Sequence, residues 1–262
     1  MASGRDWTLH KYAEILHCVR AADYPIRRID EFISAPCTSG VLLRHDVDRI
    51  PHNSLRMAKL EHQHGVSATY YVRCASASFD SALVSKLHEL GHEVGYHYEV
   101  LAKADGDMTA AIDMFSTELT ALRRLVPVHT ASAHGSPLSK WDSLDIWRAR
   151  KPQDFELLGE AYLQIDYAQM AYYTDTGRSW SATVTNLRDR VGEHGQQFPV
   201  VDTSTELIEL VSSRALPLLC IQTHPERWNS TISGTTRSLL FDFATNSAKR
   251  AIRALRGHRG RR

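Results

Sequence analysis

The 262-residue chain is poor in the features that would take it out of the ordinary globular class. It has four cysteines, Cys18, Cys37, Cys74 and Cys220, scattered and without a Cys-x-x-Cys pair. A disulfide framework or a thiolate zinc site is therefore not expected, and reduced thiols are. Its longest apolar runs, such as VLL and PLLCI, are far short of the ~20 residues that a membrane-spanning helix needs. The opening stretch MASGRDWTLHKYAEILHCV carries charges throughout and lacks an apolar h-region, so no secretory signal is read and a cytoplasmic location is expected. Neither GxGxxG nor GxxxxGK[ST] occurs, which counts against nucleotide-cofactor and kinase chemistry. There is no GxSxG nucleophile elbow, no internal repeat and no low-complexity segment.

What is present is 43% hydrophobic and 23% charged sequence, enough for one large domain or two small ones. The net charge of +1 is unevenly spread. Seven of the 31 Lys/Arg fall in residues 249–262, KRAIRALRGHRGRR, which hold no acid, so the first 248 residues carry 24 bases against 30 acids. We therefore expect a single domain over 1–248 and a basic tail over 249–262. An acidic body without a basic face elsewhere argues against a nucleic-acid partner. The tail, at the end of a last helix with Leu239, Leu240, Phe243, Ile252 and Leu255 as its apolar positions, suits peripheral contact with an anionic membrane, or else simple solvation.

Along the chain, helical and strand patterns alternate. Helical spacing or punctuation marks 8–21, 51–65, 80–91, 107–126, 204–214 and 237–257, with a short helix at SLDIWRAR. Strand patterns mark 39–48, 66–72, 92–98, 128–135 and 216–225, and AYLQIDY and MAYYTD read as two strands that pair. Such alternation predicts an α/β fold with a mostly parallel sheet, in which working residues gather at the C-terminal ends of the strands.

The polar residues follow that rule. RHDVD, GYHYE, SAHGSP and QTHPERW each close a predicted strand. On one rim they would bring Asp46 and Asp48 together with His97, His134 and His224. Asp46 and Asp48 share a face by the two-residue strand period, and Glu93, Gly95, His97 and Glu99 share another. Buried carboxylates and imidazoles are costly without partners. Mixed carboxylate and imidazole donors suit Zn²⁺ or a similar divalent ion, and a carboxylate not used as a ligand can act as a general base.

LLRHDVD, a helix, TYYV and then GHEVGYH resemble the polysaccharide deacetylase (NodB-homology, carbohydrate esterase 4) superfamily. More narrowly, RHDVDRIP, GYHYE, HGSPLSKWD, YTDTGRSW and THPERW resemble the WbmS-like deacetylases of bacterial surface-polysaccharide gene clusters. The similarity spans about residues 8–230. HDVD alone is a weak signal, whereas five motifs in order are a specific one. The resemblance implies an irregular (β/α)7 barrel and a divalent metal, zinc first and cobalt or nickel as alternatives. It also implies that Asp46 is the general base, Asp48 and His97 are metal ligands and His224 is the general acid. The superfamily places a second histidine ligand four residues after the first; this chain has Leu101 there. Glu99 and His134 are the candidates for the third ligand, with His134 slightly favoured as the direct one.

Other residues have two readings. Asp46 and Asp48 would be helix caps before Pro51 if they stood alone. TDTGRSW is ordinary turn chemistry, or a substrate clamp in which guanidinium binds oxyanions and indole stacks on a sugar face. On the second reading Asp175, Arg178, Trp180, Arg227 and Trp228 join the substrate site. Arg44 either joins them or pairs with Asp46 and holds it ionised. His92 faces away from His97 and reads as structural. The resemblance implies metal-dependent N-deacetylation of an acetamido sugar in surface-polysaccharide (lipopolysaccharide, O-antigen) synthesis. With no signal segment read, that sugar would be a nucleotide sugar or a lipid-linked one at the inner membrane face. Hydrolysis of another, cyclic amide and a non-catalytic sugar-binding role are the alternatives.

Overall fold

The structure, a computed structural model, describes residues 6–49, 51–74, 79–136, 139–181 and 198–231, with 234, 236 and 238. The elements follow as α1 (Leu9–Ala21), β1 (Ile26–Arg27), α2 (Ile29–Ser34), β2 (Gly40–Val47), α3 (Pro51–Gln63), β3 (Thr69–Val72), α4 (Ser81–Glu89) and β4 (Glu93–Tyr98). Then come α5 (Val100–Lys103), α6 (Met108–Arg123), β5 (Thr130–Ala133), β6 (Gly159–Glu160), α7 (Ala161–Gln164), β7 (Ala171–Thr174), α8 (Ser204–Ser213) and β8 (Leu218–Thr223). A 3-10 helix at Ser143–Arg148 takes the place expected for a short helix. Of the last helix expected over 237–257, only Ser238 lies within the described residues, and the basic tail lies outside them.

All strand pairs are parallel, in the order β6-β5-β4-β3-β2-β8-β7, with β1 added beside β2. The sheet is strongly curled. Arg44 on β2 donates to Ser132 Oγ on β5 at 2.6 Å, although three strand steps would separate them by about 14 Å in a flat sheet. The fold is an irregular (β/α)7 barrel, open between β6 and β7.

Side-chain parity sorts the strands into an outer and an inner set. Val41, Leu43 and Val47 of β2, with Val94, Tyr96 and Tyr98 of β4, pack outward against the helices. Leu42, Tyr71 and Cys220 point into the barrel, where Ile29 and Phe32 of α2 close its lower end. The inner face carries the polar residues that the pattern of β4 predicts. Glu93 accepts from Thr69 at 2.6 Å and from Thr130 at 2.5 Å, and the Asp30 amide of α2 donates to it at 3.0 Å. Gly95 is glycine because a Cβ there would lie 2.3 Å from the Tyr71 ring.

Glu93 makes stability depend on pH. Burial, and then the neighbouring Asp30, push its carboxyl from 4.5 up to about 7. The folded state therefore holds a proton that the unfolded chain releases. Its contribution is complete below about 4.5 and is lost as pH rises through 7. Urea midpoints should fall over that interval more steeply in the wild type than in Glu93→Gln. Equal slopes would contradict the assignment.

Two sequence expectations are corrected. Residues 161–164 form a helix and not a strand, because Glu160 accepts from the Tyr162 and Leu163 amides at 2.7 and 3.1 Å and caps the turn. MAYYTD is a strand, but its β7 partner is β8, in parallel. The short β1, α2, α5 and β6 were not legible as patterns, since each is six residues or fewer.

Candidate metal centre and active site

β2 delivers Arg44 and Asp46 inward and Asp48 just past its end. Arg44 is wholly buried and grips Asp46 with both arms, Nε to Oδ1 at 3.0 Å and Nη2 to Oδ2 at 2.9 Å. Gln222 Nε2 of β8 adds a third donor to Oδ2 at 2.8 Å. The guanidinium lies over the rings of Tyr71 and Tyr162, at 5.0 and 4.6 Å from their centroids. Burial alone would raise the Asp46 carboxyl, but Arg44 and then His97 hold it well below the usual carboxylate range. Asp46 is therefore ionised at neutral pH.

Beside it, three donors converge. His97 Nδ1 donates to the Ser132 carbonyl at 2.9 Å, which turns Nε2 towards Asp48 Oδ1 at 3.6 Å. His134, at the end of β5, has its backbone amide fixed on the Tyr98 carbonyl at 2.7 Å. Its Nδ1 meets Glu99 Oε2 at 2.9 Å, and its Nε2 lies 3.7 Å from the same Asp48 Oδ1. One ligand atom each from Asp48, His97 and His134 thus lies within 4.8 Å of the others, the one such group among the described residues. A tetrahedral zinc ion with bonds of about 2.0–2.1 Å sets its ligand atoms roughly 3.3 Å apart. The donor types and spacings fit a divalent ion, and each imidazole has its other nitrogen fixed by an oxygen, as metal-ligating histidines usually do.

Glu99, expected on this strand face as a possible ligand, stands behind His134. Its carboxylate is occupied by His134, by Ser136 Oγ at 3.2 Å and by the Arg73 guanidinium. The strand ends at Tyr98, so Glu99 begins the next turn and the parity of β4 does not carry through to it. Burial opposes ionisation of Glu99, but His134 and then Arg73 hold it well below the normal range. Leu101, four residues after His97, is buried in the outer apolar core and offers no ligand.

On the far side of Asp48, His224 follows β8, with Nε2 3.9 Å from Asp48 Oδ2. Its Nδ1 meets Asp175 Oδ1 at 2.6 Å, and its backbone amide donates to Asp175 Oδ2 at 2.9 Å. Burial and Arg227 oppose its protonation, yet Asp175 outweighs them and pushes the imidazole up to about 9. At neutral pH it carries a proton.

The substrate residues expected from the sequence divide accordingly. Asp175 is fully buried and serves His224, Arg227 and Trp228, whose indole N–H donates to it at 2.9 Å. Arg44 serves Asp46. Trp180 and Trp228 are fully buried against Trp7, with ring centroids 5.3–5.8 Å apart, so neither can stack on a sugar. Arg44 thus takes its second reading, the pair with Asp46, while Asp175, Trp180 and Trp228 are corrected from substrate contacts to buried supports; the covering Trp7, 173 residues before Trp180, gave no local signal. Arg178 and Arg227 remain at the rim, part-exposed, with Arg178 Nη2 on Ser238 Oγ at 2.7 Å and Arg227 Nη1 on Asp175 at 2.7 Å. Sequence reasoning missed Gln222, Ser132 and Tyr162. Gln222 was within reach, because it lies two residues before His224 on the strand and shares the inward parity of Cys220.

No family model matches this chain, and no curated protein does. Among solved structures, a CE4 esterase from Streptococcus mutans is similar at 13% identity, covering 90% of each chain with a TM-score of 0.46. A family 4 carbohydrate esterase from Streptomyces lividans, in complex with acetate, is similar at 15% identity, covering 78% of this chain and 88% of the other with a TM-score of 0.41. A CE4 family pseudoenzyme from Bacillus anthracis shows 14% identity and a TM-score of 0.42 over 80% of this chain, which spans 60% of that protein's length. The structural neighbours are thus CE4 family proteins, at low sequence identity.

Proposed function

We propose that this chain is a metal-dependent N-deacetylase of an acetamido sugar, of the WbmS-like kind that acts in bacterial surface-polysaccharide synthesis. The observation that carries the reading is the placement of three donors, Asp48 Oδ1, His97 Nε2 and His134 Nε2, between an ionised Asp46 and a protonated His224. Zinc, cobalt or nickel would suit that donor set.

A bound divalent ion would polarise the acetyl carbonyl and lower the pKa of water towards ~7. Asp46 then accepts a proton from the attacking water. Arg44 and Gln222 keep its carboxylate ionised and fixed in orientation while it does so. His224 Nε2 protonates the amine nitrogen as the C–N bond breaks, and Asp175 stabilises the imidazolium before transfer. The products are acetate and the free amino sugar. Arg178 and Arg227 would meet the anionic part of a nucleotide- or lipid-linked substrate at the rim. No described helix is long and apolar enough to cross a membrane, and contact with an anionic inner membrane surface would fall to the basic tail.

The test is acetate release from nucleotide-linked acetamido sugars, with and without added Zn²⁺, Co²⁺ or Ni²⁺. Metal-dependent release supports the reading. A protein that binds metal but releases no acetate from any of them, while opening a cyclic amide, would replace it. His224→Ala should lose most of its rate on the amide and much less on an activated ester, whose good leaving group needs no acid. Equal losses on both would make His224 a substrate-positioning group.

A further inference from the structure

Behind the sheet, on the face turned away from the metal donors, lies a second polar cluster that the mechanism does not use. Glu61 of α3 accepts from Tyr12 OH at 2.5 Å and from Tyr70 OH at 2.6 Å, and it meets His45 Nε2 at 2.7 Å. The other ring nitrogen, His45 Nδ1, meets Thr223 Oγ1 at 2.7 Å. Glu61, His45 and Thr223 are all 0% exposed. The order carboxylate, imidazole, hydroxyl is that of a nucleophilic triad. No substrate can reach a hydroxyl buried between sheet and helix, so that role is excluded.

The place of the cluster in the chain is informative. His45 precedes the base Asp46, and Thr223 precedes the acid His224. β2 and β8 pair from Gly40↔Leu218 to His45↔Thr223, and the ladder stops there. On this ladder the base and the acid are therefore the first residues beyond the last pair; Asp46 is still held by β3 through Asp46↔Tyr71, whereas β8 itself ends at Thr223 and leaves His224 beyond it. Strand ends fray unless something ties them. Here a side-chain bond joins the two strands at the final pair, and Glu61 anchors it to α3. Tyr12 extends the anchor to α1. On the opposite face Gln222 bonds Asp46, so the end of β8 is tied to β2 from both sides.

We propose that Glu61, His45 and Thr223 form a positioning clamp that sets the separation of Asp46 and His224 across the metal site. They touch neither substrate nor metal and act through the strand tips. The catalytic part of this inference rests on the deacetylase reading, whereas the clamp itself does not. A displaced general acid or base costs rate without necessarily weakening substrate binding.

Thr223→Val removes the hydroxyl and keeps the shape of a strand residue, and Thr223→Ser keeps the hydroxyl. Two measurements are made on the full chain: amide hydrogen exchange over the β8 end without substrate, and turnover of the amide substrate. Thr223→Val should exchange faster at His224 and lose about ten- to a hundredfold in kcat, with KM and bound zinc unchanged. Thr223→Ser should restore both. Wild-type exchange in Thr223→Val overturns the clamp whatever the activity does. Faster exchange with an undiminished kcat overturns its catalytic role. Faster exchange in a protein whose wild type releases no acetate supports the clamp and removes the deacetylase reading instead.

Discussion

Asp46→Asn should lower turnover by roughly 10²–10⁴-fold while the protein still binds its metal. The substitution removes a carboxylate that lies against the site, 3.7 Å from His97 Nε2, and that is not one of the three convergent donors. Stability should fall as well. Arg44 is fully buried, and among the described residues Asp46 is its one carboxylate partner in a direct ion pair. Breaking a buried pair by neutralising one member typically costs roughly 3–5 kcal/mol. The bonds from Arg44 to Ser132 and Tyr162, and its two ring faces, should limit that loss. The rate is therefore to be measured well below the melting temperature, on protein whose zinc content has been determined. Asp48→Ala and His97→Ala should behave differently and lose metal and activity together. A near-wild-type rate in Asp46→Asn would remove Asp46 as the base.

His134→Ala should weaken zinc binding more than any change behind it. On the deacetylase reading, His134 would supply the third donor that Leu101 cannot, giving a set of one acid and two histidines. Glu99→Gln leaves the imidazole in place, and the glutamine carbonyl can still accept from Nδ1. The charge that orients and enriches the imidazole is lost. Such changes cost roughly 10–100-fold in metal affinity, and loss of the direct ligand should exceed that range. Competition with a chromogenic chelator measures both. If Glu99→Gln proves the more damaging variant, the carboxylate itself is the ligand and the order of the two layers is reversed.

Much of this arrangement was legible because β-strand parity is a strict rule. The alternation within GHEVGYHY placed Glu93, Gly95 and His97 on one side, and they lie on the inner face of β4. The same rule applied to RHDVD set Asp46 and Asp48 on one face, and both carboxylates lie within 3.7 Å of His97 Nε2. Parity stopped being informative where strands stop. Glu99 begins a new turn, and its carboxylate reaches His134 by a route that the strand period does not describe. Residues 161–164 alternated like a strand, but the Glu160 side chain captures the backbone amides that a strand would need. Contacts between distant segments left no trace in local pattern. Trp180 and Trp228 read as sugar platforms in the sequence, but Trp7 covers them in the fold. Glu61, in the polar run EHQH, carries no local sign of burial, yet it is 0% exposed and bonded to two tyrosines and a histidine.

The central claim is that Asp48, His97 and His134 hold a divalent ion. X-ray absorption at the zinc edge, on protein loaded with one equivalent of Zn²⁺, tests it directly. The account predicts two imidazole nitrogens at about 2.0–2.1 Å and carboxylate oxygen at about 2.0–2.2 Å, with no sulfur. One imidazole should vanish from the spectrum in His134→Ala. A sulfur ligand, or a wild-type spectrum in His134→Ala, would contradict it.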